Sequence, residues 1–186
     1  LLKVAGANVR VKGLENIPNE PVVYVANHQG NFDVPIMITA TKHPKAFISK
    51  IEVQKFPIIP RWMELMGCIF IDRSDRRQSI KAIRSGVETI KSGQSIIIFP
   101  EGTRSKGGPM KEFKAGSLTL ATSSGAKIVP VAIQGSHHLL ETKNRITPGT
   151  VDVTFLSAID PADIPNKEVA ATVEAAIRQI VEGDVS

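Results

Sequence analysis

Val22-Val23-Tyr24-Val25-Ala26-Asn27-His28-Gln29-Gly30-Asn31-Phe32-Asp33-Val34-Pro35-Ile36-Met37-Ile38 holds a strand, a polar bend and a helix in one stretch. Val22 to Ala26 is a short apolar run rich in β-branched and aromatic residues, preceded by Pro21, and reads as a buried strand. Val34, Ile36, Met37 and Ile38 follow, with Pro35 placed to suit the first turn of a helix. His28 is therefore expected where a strand ends and Asp33 where a helix begins, the usual place for a ligand site in an α/β sheet. On one continuous helix, five steps would leave the two side chains roughly 140° apart. Gly30 and Asn31 can bend the chain so that Asp33 reaches the imidazole. A carboxylate on one ring nitrogen fixes the tautomer and leaves the other nitrogen as an acceptor able to take a hydroxyl proton. Taken alone, the stretch reads more simply as a histidine closing a strand and an aspartate capping a helix.

Working outward, the next informative stretch is Ser95-Ile96-Ile97-Ile98-Phe99-Pro100-Glu101-Gly102-Thr103-Arg104-Ser105. Ser95 to Phe99 reads as a central strand ended by Pro100, with a polar loop at its carboxyl end. Gly102 permits close approach of the backbone to a ligand. Arg104 can fork onto two phosphate oxygens, and Thr103 and Ser105 can add hydrogen bonds. The bland alternative is a solvated turn after a strand. Gly67-Cys68-Ile69-Phe70-Ile71-Asp72-Arg73 is a further short strand ending in a charge pair. Ile128-Val129-Pro130-Val131-Ala132-Ile133 is a strand whose internal proline suggests an edge or a bulge.

The remaining elements alternate: strands over 9–12, 45–49 and 151–155, and helices over 31–40, 77–92, 116–124 and 167–181. An irregular apolar segment with a short helix covers 56–66. The 77–92 helix has Ile80, Ile83, Val87 and Ile90 at helical spacing, with Ser74 or Asp75 as cap and Gly93 as stop. Asn166 is the expected cap of the last helix, with Val169, Val173, Ile177 and Ile180 on one face. This order predicts an α/β fold, a layered, mixed but largely parallel sheet flanked by helices. At 186 residues a single domain over 1–186 is expected.

Four motifs in order carry a resemblance: Asn27-His28-x4-Asp33, Gly67-x-x-Phe70-Ile71-Asp72-Arg73, Phe99-Pro100-Glu101-Gly102-Thr103-Arg104-Ser105 and Val129-Pro130-Val131. Together they resemble the glycerolipid acyltransferase family, and its bacterial 1-acylglycerol-3-phosphate acyltransferase branch in particular, over nearly the whole chain. The resemblance implies a glycerol-3-phosphate acyltransferase-like fold. It implies transfer of an acyl group from an acyl-CoA or acyl carrier protein thioester to the sn-2 hydroxyl of lysophosphatidate, giving phosphatidic acid. It makes His28 the general base and Asp33 its orienting partner. Arg73, Glu101, Gly102, Thr103 and Arg104 would line the seat of the glycerol phosphate, and Val129 and Pro130 would lie near the donor or its acyl chain. No cofactor or metal is implied, and the acyl thioester is a co-substrate. Gly30 stands where many members have serine. Members usually begin with one or two hydrophobic helices, and this chain starts at Leu1 without one. A trimmed form, peripheral on the cytoplasmic face of the membrane, is the expectation. A lipid-phosphate binding module or an acyl hydrolase on the same fold are the alternatives.

Composition agrees with these expectations. Hydrophobic residues make up 42% and aromatics 5%, an ordinary globular balance. One cysteine excludes an internal disulfide and fits a reducing setting. The net charge of +5 favours phosphorylated ligands and an anionic membrane surface. Nucleic acid is disfavoured, since no basic stretch is interleaved with aromatics. Cys68 reads as a small buried hydrophobe rather than a nucleophile. His137-His138 and His43 read as loop residues, because no other ligand type stands at metal spacing. There is no G-x-S-x-G, which disfavours a serine hydrolase. The apolar stretch around Trp62, flanked by Lys50, Lys55 and Arg61, is either a lid over the core or a segment resting at a bilayer interface.

Overall fold

The computed structural model describes residues 2–183 apart from positions 43, 56, 58, 73, 74 and 115. His43, Phe56, Arg73 and Ser74 therefore lie outside the described residues. Among the described residues seven strands form one sheet: β1 (Ala7–Lys12), β2 (Val23–Ala26), β3 (Lys45–Lys50), β4 (Ile69–Ile71), β5 (Ser95–Ile98), β6 (Ile128–Gln134) and β7 (Gly149–Phe155). Their order is β1-β7-β6-β2-β5-β3-β4. The five strands from β6 to β4 are mutually parallel, while β7 pairs antiparallel with β6 and parallel with β1. The helices are α1 (Asp33–Ala40), α2 (Ile59–Leu65), α3 (Arg76–Lys91), α4 (Thr119–Ser124) and α5 (Val169–Gly183).

The solid apolar runs explain the layering. A strand covered on both faces needs no polar alternation, and β2 and β5 are buried at every position. Side chains alternate by strand period. Val23, Val25, Ile96 and Ile98 join Leu120, Val173 and Ile177 from α4 and α5 in one core layer. Tyr24, Ile97, Phe155, Ile36 and Met37 make up the other, beneath α1. α3 starts where Asp75 accepts hydrogen bonds from the N–H groups of Arg77 (2.8 Å) and Gln78 (3.2 Å), a cap worth about 1 kcal/mol. It stops before Gly93, whose φ is +97°.

Three sequence expectations are corrected. Pro130 does not mark an edge, because β6 lies between β7 and β2. The Pro130 carbonyl accepts from Leu156 N–H (2.9 Å), and the β6–β7 register begins only at Val131↔Phe155. The missing proline N–H therefore falls where that ladder ends and costs no sheet bond. The last helix begins at Val169, so Asn166 lies upstream of it; Val169, Val173 and Ile177 form the buried face as expected. The helix expected from Gly116 starts at Thr119, since Gly116 turns at φ +76°.

In α2 and just after it, Met63 and Met66 pack inward against the core. Trp62 and Leu65 point outward, 60% and 80% exposed.

Candidate active site

The carboxyl ends of β2, β5 and β6 lie side by side and deliver three loops to one rim of the sheet. Asn27 extends the pairing of β2 with β6 by one residue through its side chain. Its Nδ2 donates to the Ile133 carbonyl (2.8 Å), and its Oδ1 accepts from Ile133 N–H (2.7 Å). That clamp sets where His28 leaves the sheet.

His28 is held at four points. Its N–H donates to Glu101 Oε1 (2.6 Å), and its carbonyl accepts from Ser105 N–H (2.8 Å). Its ring stacks on Phe99, with centroids 4.3 Å apart and planes 20° from parallel. Its Nδ1 lies 2.7 Å from Asp33 Oδ2. With Nδ1 committed, Nε2 is the nitrogen left to act on a substrate.

Asp33 opens α1 and is completely buried. Its Oδ2 also accepts from the N–H groups of Gln29 (2.7 Å) and Gly30 (2.8 Å). Its Oδ1 accepts from the hydroxyl of Ser136, in the turn after β6. The bend at Gly30 and Asn31 is what folds the carboxylate back toward the imidazole, as the spacing requires. A buried carboxylate needs this density of donors to offset its desolvation.

The Arg104 loop lies against the His28 loop. Besides the Ser105 bond, Lys106 N–H donates to the Gln29 carbonyl (3.0 Å). Gly102 turns at φ +67°, its N–H bonded to the Phe99 carbonyl (3.1 Å). Thr103 is exposed. Arg104 Nη1 donates to Glu141 Oε1 (3.3 Å), which also accepts from Asn31 N–H (2.7 Å). The base and the guanidinium thus belong to one connected rim.

Two groups of expected site residues are placed differently. Glu101 does not face a ligand. It is 2% exposed, and its oxygens accept from His28 N–H and Lys111 N–H (3.0 Å). It braces the loop beneath His28. Burial pushes its carboxyl up, and these two N–H bonds pull it back. Val129 and Pro130 are buried within β6, in register with Tyr24 and Val25. That is roughly 10–13 Å of strand below the His28 turn, so neither offers surface to an acyl chain there. Arg73 lies outside the described residues.

Cys68 is buried, its Sγ accepts from Phe47 N–H (3.4 Å), and burial pushes the thiol up, away from the reactive thiolate. Ser136, Glu141 and the clamping role of Asn27 were not foreseen. Each acts through a partner about a hundred residues away in sequence, and no local spacing signals that.

A family model described as Acyltransferase matches residues 8–134. The chloroplastic 1-acyl-sn-glycerol-3-phosphate acyltransferase of Arabidopsis thaliana is 38% identical over 136 residues, covering 72% of this chain and 38% of that protein. A probable 1-acyl-sn-glycerol-3-phosphate acyltransferase of Mycoplasma pneumoniae is 34% identical over 194 residues, covering 96% of this chain and 73% of that protein. The crystal structure of the 1-acyl-sn-glycerophosphate acyltransferase PlsC from Thermotoga maritima superposes with a TM-score of 0.82 at 33% identity. It covers 95% of this chain and 72% of that one. The chain spans less than half the length of the plant relatives it matches.

Proposed function

The chain belongs to the acyltransferase family, and from that premise we propose that it transfers a fatty acyl group from an acyl-CoA or acyl carrier protein thioester to the sn-2 hydroxyl of a 1-acylglycerol 3-phosphate, giving phosphatidic acid. The observation that carries this reading is the His28–Asp33 pair at 2.7 Å, with the His28 carbonyl tied to the loop of Arg104.

The hydroxyl gives its proton to His28 Nε2 while its oxygen attacks the thioester carbonyl. Asp33 steadies the imidazolium through Nδ1–H, and its four donors keep it from moving with the substrate. As the carbon–sulfur bond breaks, the imidazolium returns the proton to the departing thiolate. Arg104, on the Gly102 turn, anchors the acceptor phosphate so that the hydroxyl meets the base, and such positioning supplies much of the rate. The thioester is already activated, so the transfer runs without a covalent enzyme intermediate.

The acceptor and product are membrane lipids, so the enzyme works at an anionic bilayer, on the cytoplasmic face where the acyl donors are supplied. Among the described residues no helix is long and apolar enough to cross a membrane. Trp62 and Leu65, exposed on α2 and near Arg61 and Lys55 in sequence, form the contact. Trp62 is the one tryptophan, so its emission should shift to the blue with anionic vesicles and stay put with neutral ones. An unchanged spectrum removes α2 from the interface. The catalytic reading is tested by a donor and acceptor panel with mass-spectrometric products. Diacyl lipid supports it, free fatty acid makes the protein a hydrolase, and no thioester release leaves a binding module.

A further inference from the structure

Arg104, the residue read above as the anchor for the acceptor phosphate, is already engaged by an anion of the protein's own. The side chain of Glu141 is 5% exposed. It comes from the segment after the short turn Ser136–Leu139 and crosses to the rim. One oxygen, Oε1, is shared between Asn31 N–H and Arg104 Nη1. The other, Oε2, is enclosed and accepts no hydrogen bond from any described residue. It rests over Gly30, where an added Cβ would stand 2.4 Å from Oε2 and 2.9 Å from Cδ. Gly30 therefore makes the room that Glu141 occupies.

This hold is weak on both sides. An enclosed carboxylate with one oxygen unsatisfied is only partly compensated for its desolvation. Arg104 makes a single 3.3 Å contact among the described residues and keeps a third of its side chain exposed. A phosphate offers the guanidinium two short charge-assisted bonds in a fork instead of one long one. It cannot settle there beside Glu141 without strong like-charge repulsion in a half-buried site.

We propose that Glu141 is a resident counter-anion of Arg104, which the acceptor's phosphate must displace, so that Glu141 sets how strongly an acceptor headgroup is admitted. It keeps the guanidinium neutralised and in place while the site is empty. It lowers the apparent affinity for the headgroup by the fraction of molecules in which it is seated. The inference rests on the reading of Arg104 as the phosphate anchor.

The test is calorimetric binding of inorganic phosphate and of sn-glycerol 3-phosphate to the purified chain at low salt. Glu141→Gln keeps the size and an oxygen for Asn31 N–H and removes the charge. It should bind both probes more tightly, by on the order of tenfold. Gly30→Ala, whose methyl displaces Glu141, should shift affinity the same way, and a gain in binding is not what damage to the fold produces. In an Arg104→Ala background the Glu141→Gln gain should vanish. Weaker or unchanged binding in Glu141→Gln, with Arg104→Ala still weakening the wild type, overturns the counter-anion and leaves the anchor standing. Binding that is indifferent to Arg104→Ala overturns both.

Discussion

Asp33 and Arg104 stand on the same rim and are held in opposite ways. Asp33 has no exposed surface and four donors on its two oxygens. Arg104 is a third exposed and has one long contact among the described residues. The proton-transfer half is thus set before any substrate arrives, whereas the anion-holding half can trade its partner. That division suits a reaction in which the base must meet a hydroxyl at hydrogen-bond distance while the headgroup must enter and leave. The sharpest way to break the contrast is on the rigid side. His28→Ala should lower kcat by ~10²–10⁴ while acceptor KM changes little, because positioning is left to Arg104. Near-normal turnover in a folded His28→Ala chain ends the base assignment.

On the adjustable side the sign of the split reverses. A charge-assisted bond contributes about 1.5–3 kcal/mol, so Arg104→Ala should raise acceptor KM by roughly 10–100-fold and lower kcat no more than that. Steady-state kinetics over a range of acceptor concentrations separates the two. A fall in kcat with KM unmoved would place Arg104 with the reacting atoms instead of the headgroup.

The same contrast shows what could be read from the chain alone. The strand–bend–helix around His28 was legible because every cue in it is local: a solid apolar run, a flexible bend, a proline set for a first turn. The 77–92 helix was legible for the same reason, with Asp75 one of the two caps read for it. Glu101 was misplaced because its role depends on N–H groups of His28 and Lys111 that the fold brings to it. Val129 and Pro130 carry a motif whose letters match, yet the sheet buries both in register with Tyr24 and Val25. The edge reading of Pro130 assumed a lost ladder bond, and the ladder to β7 starts one residue later. The apolar segment near Trp62 stayed ambiguous because its two sides do opposite things: Met63 and Met66 enter the core, Trp62 and Leu65 do not. Ser136 and Glu141 were invisible in sequence, since each matters only through a loop far away.

Ser136 allows the rigidity of the Asp33 side to be graded. Ser136→Ala removes the hydroxyl that donates to Asp33 Oδ1 and leaves the three donors on Oδ2. Leaving a buried acceptor unsatisfied costs about 1–3 kcal/mol of stability, measurable by chemical denaturation. The Asp33–His28 contact survives, so kcat should fall by only about tenfold, well short of His28→Ala. Loss of kcat as large as in His28→Ala would mean that Oδ1 anchorage, not the Oδ2 contact, aims the imidazole.

The smallest expected effect concerns how acid reaches this rim. His137 packs on His138 with ring centroids 3.9 Å apart, and its Nδ1 lies 3.3 Å from Gln29 Oε1. Burial lowers its pKa below 6.5 and the neighbouring His138 adds to that, while Glu141 and Asp33 act in the opposite sense. A folded-state value below the unfolded one means that the unfolded chain takes the proton first. Stability contributed by neutral His137 is therefore present above pH 6.5 and is lost as pH falls from there toward the folded value. His137→Gln removes this linkage, so its melting temperature should drop less than the wild type's between about pH 7.5 and 5. The Gln29 main chain binds both Asp33 and Lys106, so a charge arriving at His137 presses on the joint between the rigid and the adjustable halves. An equal drop in the two proteins would place the acid-sensitive groups elsewhere and leave that joint insulated from pH.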